Sequence, residues 1–96
     1  MKRNYEMVYI IRPNLEEDQV QAVVDKFSAL INNNDGEVTT VDSWGKKRLA
    51  YEIDDFREGY YFLVTFQGAP ATAEELDRVL KITDEILRFM IIRKDN

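Results

Sequence analysis

Apolar and polar positions along this chain follow two periods. Over residues 5–11 they alternate, with Tyr5, Met7, Tyr9 and Ile11 on one side and Glu6, Val8 and Ile10 on the other. Aromatic and β-branched alternation closed by Arg12-Pro13-Asn14 predicts a strand. The spacing then becomes three and four residues: Val20, Val23, Val24, Phe27, Leu30 and Ile31 form the single stripe of an amphipathic helix. Asn14 and Glu17 have the spacing of a capping box ahead of it, and Glu16, Glu17 and Asp18 complement the positive end of its dipole. Asn32-Asn33-Asn34-Asp35-Gly36 supplies residues suited to a left-handed cap.

Alternation returns over residues 37–43, breaks at Gly45 as at a bulge, and resumes over 49–53. There Leu49, Tyr51 and Ile53 are expected on a buried face. Residues 54–59 read as a turn and 60–66 as a third strand. Its more apolar side is Tyr60, Phe62, Val64 and Phe66, and its other side is Tyr61, Leu63, Thr65 and Gln67. Gly68-Ala69-Pro70 ends that strand, and Thr72-Ala73-Glu74-Glu75 has the capping-box pattern that opens a helix. This second helix carries Leu76, Val79 and Leu80, with Ile82 near its end. After a turn at Thr83-Asp84-Glu85, residues 86–92 form the last strand, with Leu87, Phe89 and Ile91 as its core face. Strand, helix, strand, strand, helix, strand predicts an α+β, ferredoxin-like βαββαβ sandwich. The sheet has four antiparallel strands in the order four, one, three, two, and both helices cover one face.

Composition narrows the picture. Ninety-six residues suit a single domain, 1–96. The sequence has no cysteine, which excludes disulfides and thiolate metal sites and fits a reducing cytoplasm. No apolar run approaches the roughly 20 residues of a membrane span, and the N-terminus passes straight into a strand pattern, so neither a membrane nor a signal peptide is expected. Catalysis has little to work with. Histidine is also absent, Ser28 falls in the first helix and Ser43 in a strand, and no base accompanies either. Asp54 and Asp55 sit in a turn without a surrounding ligand motif. No enzyme, no cofactor, no metal and no small-molecule substrate is expected.

The second sheet face is informative. With Tyr9, Phe62 and Phe89 under the helices, Val8, Ile10, Tyr61, Leu63, Met90 and Ile92 fall together on the other side, with Arg88 beside them. A contiguous apolar patch on an open sheet marks a protein partner or self-association. Gly59-Tyr60-Tyr61-Phe62-Leu63 also resembles part of the aromatic signature of RNA-recognition-motif domains. It departs from that signature at Tyr61, where Gly or Ala is usual, and at Thr65, where an aromatic is usual. Strand parity puts Tyr60 and Phe62 on the covered face, so core aromatics are the better reading.

The net charge is −5, which argues against RNA binding by bulk charge but not against a local site. The cations gather at Lys2-Arg3, Lys46-Lys47-Arg48 and Arg93-Lys94. Three adjacent cations are compatible with a solvated turn. Trp44 supplies a flat surface beside them, Gly45 lets backbone approach, and Arg48 suits bidentate phosphate contact.

Trp44-Gly45-Lys46-Lys47-Arg48-Leu49-Ala50-Tyr51-Glu52-Ile53 resembles the signature of the bacterial small-subunit ribosomal protein S-six family. Tyr5-Glu6-Met7-Val8-Tyr9-Ile10-Ile11-Arg12-Pro13-Asn14, Arg57-Glu58-Gly59-Tyr60-Tyr61 and Ile82-Thr83-Asp84-Glu85-Ile86-Leu87-Arg88 are similar to further segments of it, in order and over nearly the whole chain. The resemblance implies a ferredoxin-like, non-catalytic protein of the cytoplasmic ribosome. It implies binding to the central domain of 16S ribosomal RNA together with a small basic partner, ribosomal protein S-eighteen. Some members carry a long C-terminal tail, whereas this sequence stops at Asn96. The expected RNA contacts are Lys46, Lys47 and Arg48, with Lys2, Arg3, Arg88 and Arg93 as further contributors; Val8, Ile10, Tyr61, Leu63, Met90 and Ile92 are the expected protein-contact face. Two other readings suit the same pattern: a single-strand RNA reader of the RNA-recognition-motif type, and a dimeric ligand-sensing domain.

Overall fold

The elements run β1 (Arg3–Ile11), α1 (Glu17–Asn33), β2 (Glu37–Ile53), β3 (Phe56–Gly68), α2 (Pro70–Lys81) and β4 (Ile86–Lys94). The structure is a computed structural model and describes residues 2–94. The strands form one antiparallel sheet in the order β2-β3-β1-β4, the expected order read from its other edge. Alternation in β1 sets the layers. Tyr5, Met7, Tyr9 and Ile11 are all buried, and Tyr9 stands between Phe62 of β3 and Phe89 of β4. Phe62, Val64 and Phe66 complete the sheet side of the core; Val20, Val23, Val24, Phe27 and Ile31 of α1, with Leu76 and Leu80 of α2, complete the helix side. Each such side chain stabilises the fold by about 1.5–3 kcal/mol through loss of apolar surface from water. Aromatic rings align across neighbouring strands: Tyr5 stacks on Phe66 at 5.2 Å and Tyr9 on Phe62 at 5.5 Å between centroids.

Both helix starts differ from the capping expectation. At α1 the cap is Glu16, not Asn14: its side chain accepts from the backbone of Gln19, whose Oε1 in turn accepts the Glu16 N–H at 2.9 Å. The capping box exists, displaced by two residues. α2 begins at Pro70 behind Ala69, because proline is preset for the first turn and has no N–H to leave unpaired. Thr72 therefore lies inside the helix, where its hydroxyl donates to the Asn34 carbonyl at 2.7 Å and ties α2 to the end of α1. Ile82, expected near the end of this helix, is its C-terminal cap and is 69% exposed. In β4 a register shift opposite Ile10 and Ile11 puts Ile86, rather than Leu87, against the core with Phe89 and Ile91.

The largest difference concerns β2 and β3. The expected six-residue turn is two residues, Asp54 and Asp55, with φ of 50° and 68°, the positive pair that a type I′ hairpin turn requires. β2 is thus one strand of 17 residues and β3 one of 13. The central strand β1 ends at Ile11, opposite Tyr60, so residues 56–59 and their β2 partners continue past it as an arm. The molecule accordingly measures 40 × 26 × 22 Å.

Candidate nucleic-acid interface

The cationic triplet lies on this arm, in a strand and not in a turn. Register assigns each side chain to a face: Lys46 is opposite Tyr60, Lys47 opposite Gly59 and Arg48 opposite Glu58. Directly opposed residues share a face, and Tyr60 packs against the helix-side core. Lys46 and Arg48 therefore project to the helix side, and Lys47 to the open side. Ring contacts agree. The Lys46 ammonium stands 5.3 Å from the Tyr60 ring centre, and that of Lys47 5.7 Å from the Trp44 ring centre. Among the described residues, Lys46, Lys47 and Arg48 pair with no carboxylate. Their charge is open to an anion.

The bulge at Gly45 creates this arrangement. Ser43 faces Phe62 and Gly45 faces Tyr61, leaving Trp44 as the extra residue of β2, and Gly45 takes φ of 76° to absorb it. Trp44 then lies on the open face, 6.3 Å from Tyr61 with the rings 17° apart, and its indole Nε1–H donates to Asp42 Oδ2 at 3.1 Å. Beyond the triplet a second irregularity separates Arg48 from Ile53. Leu49 is buried there as expected and Ile53 half-buried, but Tyr51 is 58% exposed. The bulge at Gly45 has already reversed the parity of β2, so alternation carries Tyr51, like Lys47, to the open side. Its ring meets the Arg88 guanidinium of β4 at 5.5 Å instead.

That contact groups Arg88 with the triplet. Lys2, Arg3 and Arg93 are at the other end of the sheet: Arg3 pairs with Gly68 and Arg93 with Tyr5, whereas the triplet is level with Ile11. Eight strand steps separate the two groups, roughly 27 Å. On the helix side, an open groove between α1 and β2 is walled by Glu17, Asp18, Gln21 and Ser43, with Tyr60 and Phe62 also lining it. The two carboxylates repel phosphate from the groove, so the anion-accepting strip is confined to the arm.

The open face carries its expected residues in register: Val8 beside Leu63 and Met90, Ile10 beside Tyr61 and Arg88, and Ile92 beside Glu6. Met90 and Ile92 are 54% and 40% exposed, while Val8, Tyr61 and Leu63 are half-buried. Ile10 is buried, with Gly59 packed closely against its side chain. Phe62 is buried and Tyr60 packs on the core, which removes both from base stacking. Asp42 and the Tyr51–Arg88 contact were not legible in the sequence, since each depends on a register irregularity.

Residues 4–93 match the family described as Ribosomal protein S6. The chain belongs to that family. The small ribosomal subunit protein bS6 of Moorella thermoacetica is 58% identical over 91 residues, 95% of this chain and 93% of that one. Its counterpart in Heliobacterium modesticaldum is 55% identical over 93 residues, 97% of each chain. The crystal structure of 30S ribosomal protein S6 from Thermotoga maritima superposes with a TM-score of 0.92 at 30% identity, over 98% of this chain and 89% of that one. Membership in the S6 family makes this chain a protein of the small ribosomal subunit in the cytoplasm, and a structural protein rather than an enzyme. The fold alone carries no such conclusion. The C-terminal domain of the MgtC protein from Mycobacterium tuberculosis shares it at a TM-score of 0.61 and 16% identity.

Proposed function

We propose that this S6-family protein binds the central domain of 16S ribosomal RNA together with ribosomal protein S-eighteen. Lys46, Lys47, Arg48 and Arg88 act as phosphate contacts, and Lys2, Arg3 and Arg93 as a secondary group. The observation that supports this reading is the placement of three cations without carboxylate partners on an arm next to a partly exposed apolar sheet face. Phosphate is met by the arm, and the protein partner by Val8, Ile10, Tyr61, Leu63, Met90 and Ile92, with Ile10 contributing least because it is already covered. A net charge of −5 opposes indiscriminate RNA binding and draws a basic partner.

The test is binding to a 16S central-domain RNA fragment at several salt concentrations, with and without S-eighteen. Binding is expected only with the partner present. Lys46→Ala and Arg48→Ala should each lower the salt slope by about one, the signature of one lost phosphate contact. Equally tight binding without S-eighteen, or an unchanged slope in both variants, contradicts the reading.

A further inference from the structure

We infer that the open side of the arm's stem, where Trp44 stacks on Tyr61 and Asp42 holds the indole N–H, receives an arginine side chain of a basic protein partner. This rests on the partner reading above and specifies where and how that partner is held.

Trp44 and its neighbours separate by face from two of the phosphate-directed cations, while Lys47 and Arg88 share their side. Lys46 and Arg48 project to the helix side, whereas Trp44, Tyr61 and Asp42 share the open side with the apolar strip of Val8, Leu63 and Met90. Trp44 is 41% exposed and continuous with that strip, so whatever covers the strip reaches the indole.

The charge beside the ring decides between occupants. Asp42 Oδ2 accepts the Trp44 N–H at 3.1 Å, which fixes a carboxylate at the edge of the stacking surface. Among the described residues no cation forms an ion pair with Asp42. A nucleotide base stacked on Trp44 would bring its phosphates toward this carboxylate and be repelled. A guanidinium gains from both parts, lying flat on the ring while its fork of N–H groups meets the carboxylate. The surface already uses half of this pairing internally: Lys47 sits on Trp44 at 5.7 Å and Arg88 on Tyr51 at 5.5 Å. An arriving guanidinium displaces the Lys47 ammonium from the indole and leaves it available to phosphate, so partner and RNA reinforce one another at one side chain.

The experiment uses the single tryptophan of the sequence as its reporter. The full chain is titrated with purified S-eighteen and, separately, with the central-domain RNA fragment, following Trp44 emission. S-eighteen is expected to change the emission, and RNA alone is not. Asp42→Asn keeps an oxygen to accept the indole N–H but removes the charge, and should weaken S-eighteen binding about tenfold. Asp42→Glu should recover most of the loss. Urea midpoints of both variants, expected to be unchanged for an exposed side chain, separate binding from folding. If S-eighteen binds while emission and the Asp42→Asn affinity stay constant, the arginine site is wrong and the partner reading survives. If S-eighteen binds no form of the chain, both fall. If RNA alone alters Trp44 emission and Trp44→Leu loses RNA affinity, the surface is a base-stacking platform and the inference is overturned.

Discussion

Tyr9 shows how one buried group shapes the response to pH. Its ring is fully buried, 5.5 Å from Phe62 and 5.6 Å from Phe27, and its hydroxyl finds no hydrogen-bond partner among the described residues. Burial, and next the nearby Asp25 carboxylate, push its pKa well above the ordinary tyrosine value. A pKa raised on folding means that the unfolded chain releases this proton first. The associated stability is therefore full below pH about 10 and declines as pH rises beyond it. Tyr9→Phe removes an unsatisfied hydroxyl and this titration together. Urea unfolding should show it more stable by about 1 kcal/mol at neutral pH, with a shallower alkaline decline. A parallel alkaline limb in parent and variant would show that another group is responsible. Gly59 makes a steric case at the same scale. A Cβ there would overlap Ile10 Cγ2 and come within 3.1 Å of the Ile11 carbonyl oxygen. Gly59→Ala is expected to destabilise by about 1–3 kcal/mol in the same assay, as overpacking does. Gly45 differs: nothing lies within 4 Å of its Cβ position, and its φ of 76° alone favours glycine.

The element that matters most is the β2–β3 hairpin. It supplies the arm, the bulge that presents Trp44, and the division of the cations between two faces. Its turn runs through two aspartates in left-handed backbone, a conformation that glycine adopts without a Cβ penalty. Asp55→Gly should therefore stabilise the protein by about 1 kcal/mol, read as a raised urea midpoint with an unchanged slope. RNA affinity should be unaffected, because the turn lies beyond the triplet. A stabilised turn accompanied by altered RNA binding would mean that the aspartates themselves meet the RNA. Ion pairs along the arm add little. Arg57 and Glu52 meet at 3.0 Å, but both are at least half exposed.

At the scale of the whole molecule, charge is sorted in space rather than in amount. The chain is acidic overall, yet the arm end of the sheet carries Lys46, Lys47, Arg48 and Arg88 together. Reversing surface acids remote from both interfaces, such as Glu74 and Asp77 on α2, should weaken S-eighteen binding mainly through its association rate and most clearly at low salt. Stopped-flow association at two ionic strengths measures this. An unchanged rate would remove the acidic surplus from the account. The distant Lys2, Arg3 and Arg93 should each cost less RNA affinity on replacement by alanine than Lys46 or Arg48.

Periodicity determined the order of elements, the strand order and nearly all of the core, because burial of one strand face or helix stripe is written directly into residue spacing. Tyr5, Met7, Tyr9 and Ile11, the α1 stripe, and Phe62, Val64 and Phe66 lie where alternation and three-four spacing put them. Family motifs were equally visible, since they are contiguous. Tertiary structure decided what depends on broken regularity and on contacts between distant residues. The bulge at Gly45 turned Trp44 onto Tyr61 and, by reversing the parity of β2, brought Tyr51 out onto Arg88, and the shift at Ile10 exchanged Leu87 for Ile86. A one-residue slip moves every later side chain to the opposite face. Three cations adjacent in sequence were therefore legible as a cluster, while the faces to which they were assigned were settled by register alone.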